Sequence, residues 1–194
     1  MNDFMFCLRQ VAGFLVQTVP CIYLSFAAFY HNEIRFNKSK VIAILCIFQL
    51  FSGSVLALLV FYEKNISWLA QVPYENIYIS IDIFIYIIAF WYVVIADKYQ
   101  KIFVLNYFIL FAAIVFLSTN MILGRYPGYY TYVDGIYSDA TLLLYCVTTL
   151  CFFPPAFLFI KYKFRKFIHE RPLSDIKKYT KVFICENMLY FFIV

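Results

Sequence analysis

The chain of 194 residues is 64 % hydrophobic and 14 % charged, with a mean hydropathy of +0.79, whereas soluble domains run about 45–50 % apolar and about 25 % charged. A soluble fold of this length has too little interior to bury so much apolar surface, so the composition indicates an integral membrane protein. The net charge of +5 sits in short segments between apolar runs, where topology accounts for it, and there is no basic–aromatic face of the kind nucleic acid needs.

The elements follow from the spacing of those polar segments. Residues 1–9 read as a short head carrying Asp3 and Arg9, with no basic leader or cleavage site of a signal peptide. The run from Gln10 to Tyr30 is long enough to cross a bilayer, since a span needs ~20 residues, and it contains Gln17 and Pro20. The loop 31–40 carries Arg35, Lys38 and Lys40 against Glu33. A second span runs from Val41 to Tyr62, with Ser52, Gly53, Ser54 and Ala57 as a small-residue packing face. Residues 63–76 form an outer loop in which Trp68 and Tyr74 suit the headgroup boundary, and Asn65 formally heads a glycosylation triplet. A third span, Ile77 to Ala96, alternates β-branched and aromatic residues. It is expected to be helical all the same, because a lone strand leaves its backbone unpaired in lipid. The turn 97–101 supplies Lys98 and Lys101, and a fourth span runs from Ile102 to Leu123. The Gly- and Tyr-rich segment 124–139 reads as an irregular outer loop. A fifth span, Ala140 to Ile160, carries Pro154 and Pro155, where a helix is expected to kink.

The one long polar run, 161–181, holds eight Lys and Arg against Glu170 and Asp175. A basic run beside a span stays on the cytoplasmic side. Thirteen of the sixteen Lys and Arg fall in the segments 31–40, 97–101 and 161–181. The expected topology therefore places these segments in the cytoplasm and the N-terminus outside. Residues 182–194 begin a sixth apolar run that rises only ~20 Å against a hydrocarbon core of ~30 Å, so the chain is expected to stop within a span. The expected architecture is an all-α polytopic transmembrane helix bundle. It has a five-span bundle over 1–160, a basic cytoplasmic linker over 161–181 and a truncated sixth helix over 182–194.

Chemistry-bearing patterns are sparse. There is no P-loop, GxSxG, HExxH or pair of carboxylates at helical spacing, so no catalytic residue is assigned. The six cysteines form no CxxC pair and most lie inside apolar runs, so neither a disulfide nor a metal site is expected, and no cofactor is implied. His31 and His169 fall in inner loops. The segment following His169 loosely echoes the HELRTPL-type phosphoacceptor box, but its spacing to Pro172 is too short, and a solvated loop histidine is the expectation. Polar residues within spans are costly in lipid. Gln17, Asp82 and Asn120 fall in the outer half and form a candidate ligand-sensing set open to the outside. For that set the plainer role is interhelical hydrogen bonding, or Asp82 reaching the headgroups; Gln49, Asn106, Thr148, Thr149 and Glu186 are further polar positions within the apolar runs.

The order of features resembles a known family. Glu33, Arg35, Phe36, Ser39 and Lys40 form an E-x-R-F-x-x-S-K loop. Asp97 to Leu105 read D-K-Y-Q-K-I-F-V-L, Phe152 to Lys161 read F-F-P-P-A-F-L-F-I-K, and Pro172-Leu173 follow. This resembles the N-terminal membrane region of GHKL-type sensor histidine kinases of Gram-positive bacteria, broadly similar to the Agr-type quorum-sensing receptor kinases. The resemblance implies a homodimeric sensor of a two-component system whose membrane helices detect a peptide or envelope signal. They would pass a helix shift to a cytoplasmic kinase domain that phosphorylates its own histidine and then a response regulator. The phosphoacceptor helix and ATP-binding boxes of that family are not among these residues. Two other readings stay open. A transporter or channel component is disfavoured by the lack of an inverted repeat. A fragment of a seven-helix chemoreceptor is disfavoured by the short inner loops and the lack of paired outer cysteines.

Overall fold

Apolar runs of this length satisfy their own peptide groups best as helices, and capping residues decide where each begins. The computed structural model describes residues 3–63, 74–124 and 138–182. Its helices are α1 (Asp3–Ala27), α2 (Lys38–Glu63), α3 (Tyr74–Val93), α4 (Lys98–Gly124), α5 (Asp139–Phe159) and α6 (Arg165–Glu170). A π-helical turn (Ile160–Phe164) joins α5 to α6. A last helical segment covers 173–182. Among the described residues there is no strand, only one bridge between Ile34 and Val94. The expected outer-loop features at Asn65 and Trp68, most of the Gly- and Tyr-rich segment, and nearly all of the sixth run, with Cys185 and Glu186, lie outside the described residues.

The starts have local causes. Asn37 Oδ1 accepts the Ser39 amide at 3.0 Å at the head of α2. Asp97 Oδ1 accepts the Tyr99 amide at 2.8 Å, while Gln100 Oε1 accepts the Asp97 amide at 3.1 Å, a reciprocal capping box for α4. Ser138 Oγ accepts the Thr141 amide at 3.2 Å at the head of α5. The helix α1 starts well before the expected Gln10. Asp3 to Arg9 are its first turns, and Arg9 is buried, its guanidinium 3.0 Å from Asp139 Oδ1 at the start of α5.

Four helices, Asp3–Ala27, Lys38–Tyr62, Lys98–Ile122 and the continuous Asp139–Glu170, are long and apolar enough to cross a membrane. The apolar part of α3, Ile77–Val93, is shorter, so among the described residues four helices meet that requirement and the fifth expected span is not shown to. No more than 39 % of the residues in the most apolar stretch of any of the four is buried. Much of the exposed remainder is apolar (Ile44, Phe51, Phe116 and Leu150 among others), the surface a helix presents to lipid.

The core sits between α1 and its neighbours. Gly53 of α2 lies so close to α1 that a Cβ there would stand 2.9 Å from Phe14 Cδ1, and Ala57 one turn on is fully buried. Further along, Phe26 and Phe29 close on Phe90 of α3 at ring-centroid distances of 5.6 and 5.8 Å. At this end the connections are tied together. Arg35 donates its amide to Val93 O at 2.9 Å, and Ile95 donates to Glu33 O at 2.8 Å. Lys38 Nζ donates to Phe29 O and Lys101 Nζ to Trp91 O, both at 3.1 Å, so two lysines hold carbonyls at or beyond helix C-termini.

The helix α5 remains continuous through Pro154 and Pro155, although neither proline can donate to the carbonyl four residues earlier. Its departure from α geometry comes later, in the π turn, where the Arg165 amide reaches back to Ile160 O. The 32 residues of Asp139–Glu170 form a rod of ~48 Å, longer than a hydrocarbon core of ~30 Å. The overhang begins where the basic run begins. Pro172 then ends α6 by forcing Arg171 into extended backbone, φ −85° and ψ 145°. The basic stretch 161–181 is thus helical over most of its length, with Phe164, Ile168 and Ile176 buried and Lys161, Lys163, Lys166, Lys177, Lys178 and Lys181 exposed.

Candidate functional site

Two arrangements of polar side chains stand out, one inside the bundle and one at the basic end. The inner one joins α2 to α3. Gln49 and Ser52 lie three residues apart on α2, and Tyr78 and Asp82 lie four apart on α3, spacings that put each pair on one helix face. Ser52 Oγ donates to Asp82 Oδ1 at 2.6 Å, and Gln49 Nε2 donates to Asp82 Oδ2 at 3.1 Å. Tyr78 OH donates to the Ser52 carbonyl at 2.9 Å. Asp82 is 6 % exposed and Gln49 2 %. Among the described residues no Lys, Arg or His makes an ion pair with Asp82. Gln49 Oε1 is buried and has no hydrogen-bond partner among the described residues. The amide orientation follows from chemistry, because only its NH₂ can face a carboxylate.

This cluster borders a cavity of about 200 Å³ between α1, α2, α3 and α4. Its walls include Phe14, Ile79, Tyr86 and Phe108, and its polar lining includes Gln17, Gln49 and Asp82. Ile83 and Ile109, also in the lining, are 44 % and 37 % exposed, so the cavity has an edge on the lateral apolar surface between α3 and α4. Gln17 and Asp82, singled out by depth in the sequence, therefore share one cavity. Asn120 does not line it; it stands eight residues beyond the lining residue Ala112 on α4, ~12 Å along the axis. Thr148 bonds Thr119 across the α4–α5 contact at 3.0 Å.

The second arrangement gathers side chains that the sequence separates widely. His169 of α6 places Nε2 2.7 Å from both carboxylate oxygens of Glu33, in the 3₁₀ turn His31–Glu33, and Nδ1 2.6 Å from Arg165 O. The Arg165 carbonyl can only accept, so this contact needs the hydrogen on Nδ1. Glu33 Oε2 also accepts the Tyr30 amide at 2.8 Å. The Tyr30 ring meets the His169 ring edge-on at 4.6 Å and receives the Arg165 guanidinium at 4.7 Å. Both side chains of the ion pair are less than one-fifth exposed. His169 is therefore not the solvated loop histidine expected from its polar neighbourhood. Gln100 Nε2 donates to Ile168 O at 3.1 Å and ties α6 to the start of α4 as well.

The two arrangements are joined by packed side chains. Tyr86 of the cavity wall hydrogen-bonds Ser25 of α1 and packs on Phe90 at 6.2 Å. Phe90 packs on Phe26 and Phe29, and Phe29 precedes Tyr30 of the second arrangement, the Tyr30–Glu33–His169 latch. Among the described residues, no group of His, Cys, Asp and Glu is arranged to hold a metal ion. The fold and the buried polar cluster define the class: an all-helical protein with helices long and apolar enough to cross a membrane and a polar-lined cavity among them. No protein-family model matches the chain, and no curated protein or solved structure matches it either.

Proposed function

We propose that the chain is the membrane-embedded sensor region of a two-component signalling histidine kinase, with its basic end in the cytoplasm and its N-terminus outside. It would relay an extracytoplasmic signal to a cytoplasmic GHKL kinase domain outside these residues, and through that domain to a response regulator, as a homodimer. One observation carries the reading: a buried carboxylate, held by Ser52 and Gln49, borders a cavity instead of an opposite charge. A carboxylate at such a depth is expensive, and apolar packing would serve stability alone better. The scattered sequence resemblance supplies the family, and the overhanging α5–α6 rod supplies a mechanical output.

In this reading, occupancy of the cavity shifts α3 relative to α1. The Tyr86–Phe90–Phe29 packing passes the shift to the Tyr30–Glu33–His169 latch, which sets the position of α6. A signal can move this equilibrium only through differential affinity for two arrangements. The π turn is where the rod gives most readily, because its hydrogen bonds are longer-looped than those of an α-helix. The test is a spin-label distance between Lys40→Cys on α2 and Lys166→Cys on α6, both exposed positions, in a background without native cysteines. Asp82→Asn is expected to change the distance distribution. A single, unchanged distribution in Asp82→Asn and in a cavity-filling Ala112→Phe variant would remove the sensor reading.

A further inference from the structure

We infer that the cavity binds a small apolar molecule headed by an amine, a deepening that rests on the sensor reading given above. The chemistry of the lining selects the head group. Asp82 presents a carboxylate, and Gln49 Oε1 is a buried acceptor without a partner among the described residues, on a side chain that borders the same cavity. Both are acceptors. A ligand that satisfies them must donate at least two hydrogen bonds, and one that also balances the carboxylate must be cationic. An ammonium group, with three donors and no acceptor, meets both conditions. A carboxylate or phosphate head would place a like charge beside Asp82, whose two donors, Ser52 Oγ and Gln49 Nε2, are already engaged with it.

Size and access select the rest of the molecule. A dry cavity of ~150 Å³ takes a benzene ring, so about 200 Å³ holds one ring with a short arm. Phe14, Ile79, Tyr86 and Phe108 supply apolar walls for the ring. The exposed edge at Ile83 and Ile109 opens onto the apolar flank of the bundle, an entry suited to a molecule that partitions into the bilayer. The head group then lies against Asp82 between α2 and α3, with the Gln49 side chain beside it.

Three probes of similar length separate the alternatives: 2-phenylethylamine, 3-phenylpropanoate and propylbenzene. Binding is measured by titration calorimetry on the purified full chain in lipid nanodiscs, with empty nanodiscs subtracted. The amine is expected to bind the unaltered protein, with the hydrocarbon and the carboxylate weaker by about tenfold or more. Asp82→Asn is expected to weaken the amine by a similar factor. Ala112→Phe, which fills the cavity and leaves the Asp82 cluster intact, abolishes its binding and serves if Asp82→Asn does not fold, as judged by circular dichroism and elution volume. Equal binding of propylbenzene and the amine, preference for the carboxylate, no binding of the amine, or amine binding unchanged in both variants overturns the inference. Failure here with a distance distribution that still responds to Asp82→Asn leaves the sensor reading standing. Amine binding with an unresponsive distribution overturns the sensor reading and leaves this one.

Discussion

Removing the Ser52 hydroxyl would take from the buried Asp82 Oδ1 its 2.6 Å donor. Leaving a buried acceptor unmade costs about 1–3 kcal/mol, so Ser52→Ala is expected to lower the thermal midpoint in detergent. A midpoint unchanged from the unaltered protein would show that Asp82 finds another donor. Gly53 makes a different demand, since any Cβ meets Phe14 at 2.9 Å and the buried ring must move. Gly53→Ala is expected to destabilise the α1–α2 pair by about 1–3 kcal/mol through overpacking, and a neutral effect in the same assay contradicts that. Sequence reading reached Asp82, Gln17 and Gln49 because polar residues in apolar runs are conspicuous. It grouped Asp82 with Gln17 and Asn120 by depth, and depth says nothing about which face of a helix a residue occupies. Ser52 looked like one small residue in a packing stripe, and its role shows only when α3 is set beside α2.

At the scale of elements, the latch between the 3₁₀ turn His31–Glu33 and α6 joins positions 136 residues apart. Nothing local marks such a pairing, and this is why His169 read as solvated. A double-mutant cycle of Glu33→Ala and His169→Ala is expected to give a coupling of about 0.5–3 kcal/mol; additive effects would mean that the two side chains do not depend on one another. The rod α5–α6 yields a second expectation. An alanine inserted between Phe159 and Ile160 turns everything beyond it by ~100°, and the π turn already accommodates a widened loop. Phe164 and Ile168 would leave their buried faces against Phe103 and its neighbours. Hydrogen exchange across 165–182 should then rise sharply, whereas unchanged protection would show that the π turn absorbs the insertion. The prolines at 154 and 155 lie in the same continuous helix as the π turn, five to six residues before its start at Ile160.

For the whole molecule, run length was the legible quantity. Hydrophobic stretches of bilayer length, separated by basic or turn-forming residues, mark helices whatever their neighbours do, and α2, α4 and α5 begin and end within a few residues of expectation. The start of α1 was hidden because Arg9 looked like part of a charged head, when its guanidinium is buried and paired with Asp139 on another helix. The end of α3 was overrun because Val94 continues an apolar run, although its backbone pairs with Ile34. The large-scale placement of charge is simpler. Exposed lysines gather along the overhanging rod and the segment 173–182, while the flanks of the bundle are apolar. That distribution suits a bilayer crossed by the helices, with anionic lipid headgroups around the basic end.

The most direct test asks on which side of the membrane that end lies. A single cysteine at Lys166, in a background without the native cysteines, is treated with a membrane-impermeant maleimide in intact cells and in inside-out vesicles. The account predicts labelling only in the vesicles. Labelling of Lys166→Cys in intact cells, or recovery of the chain in the soluble fraction without detergent, contradicts it.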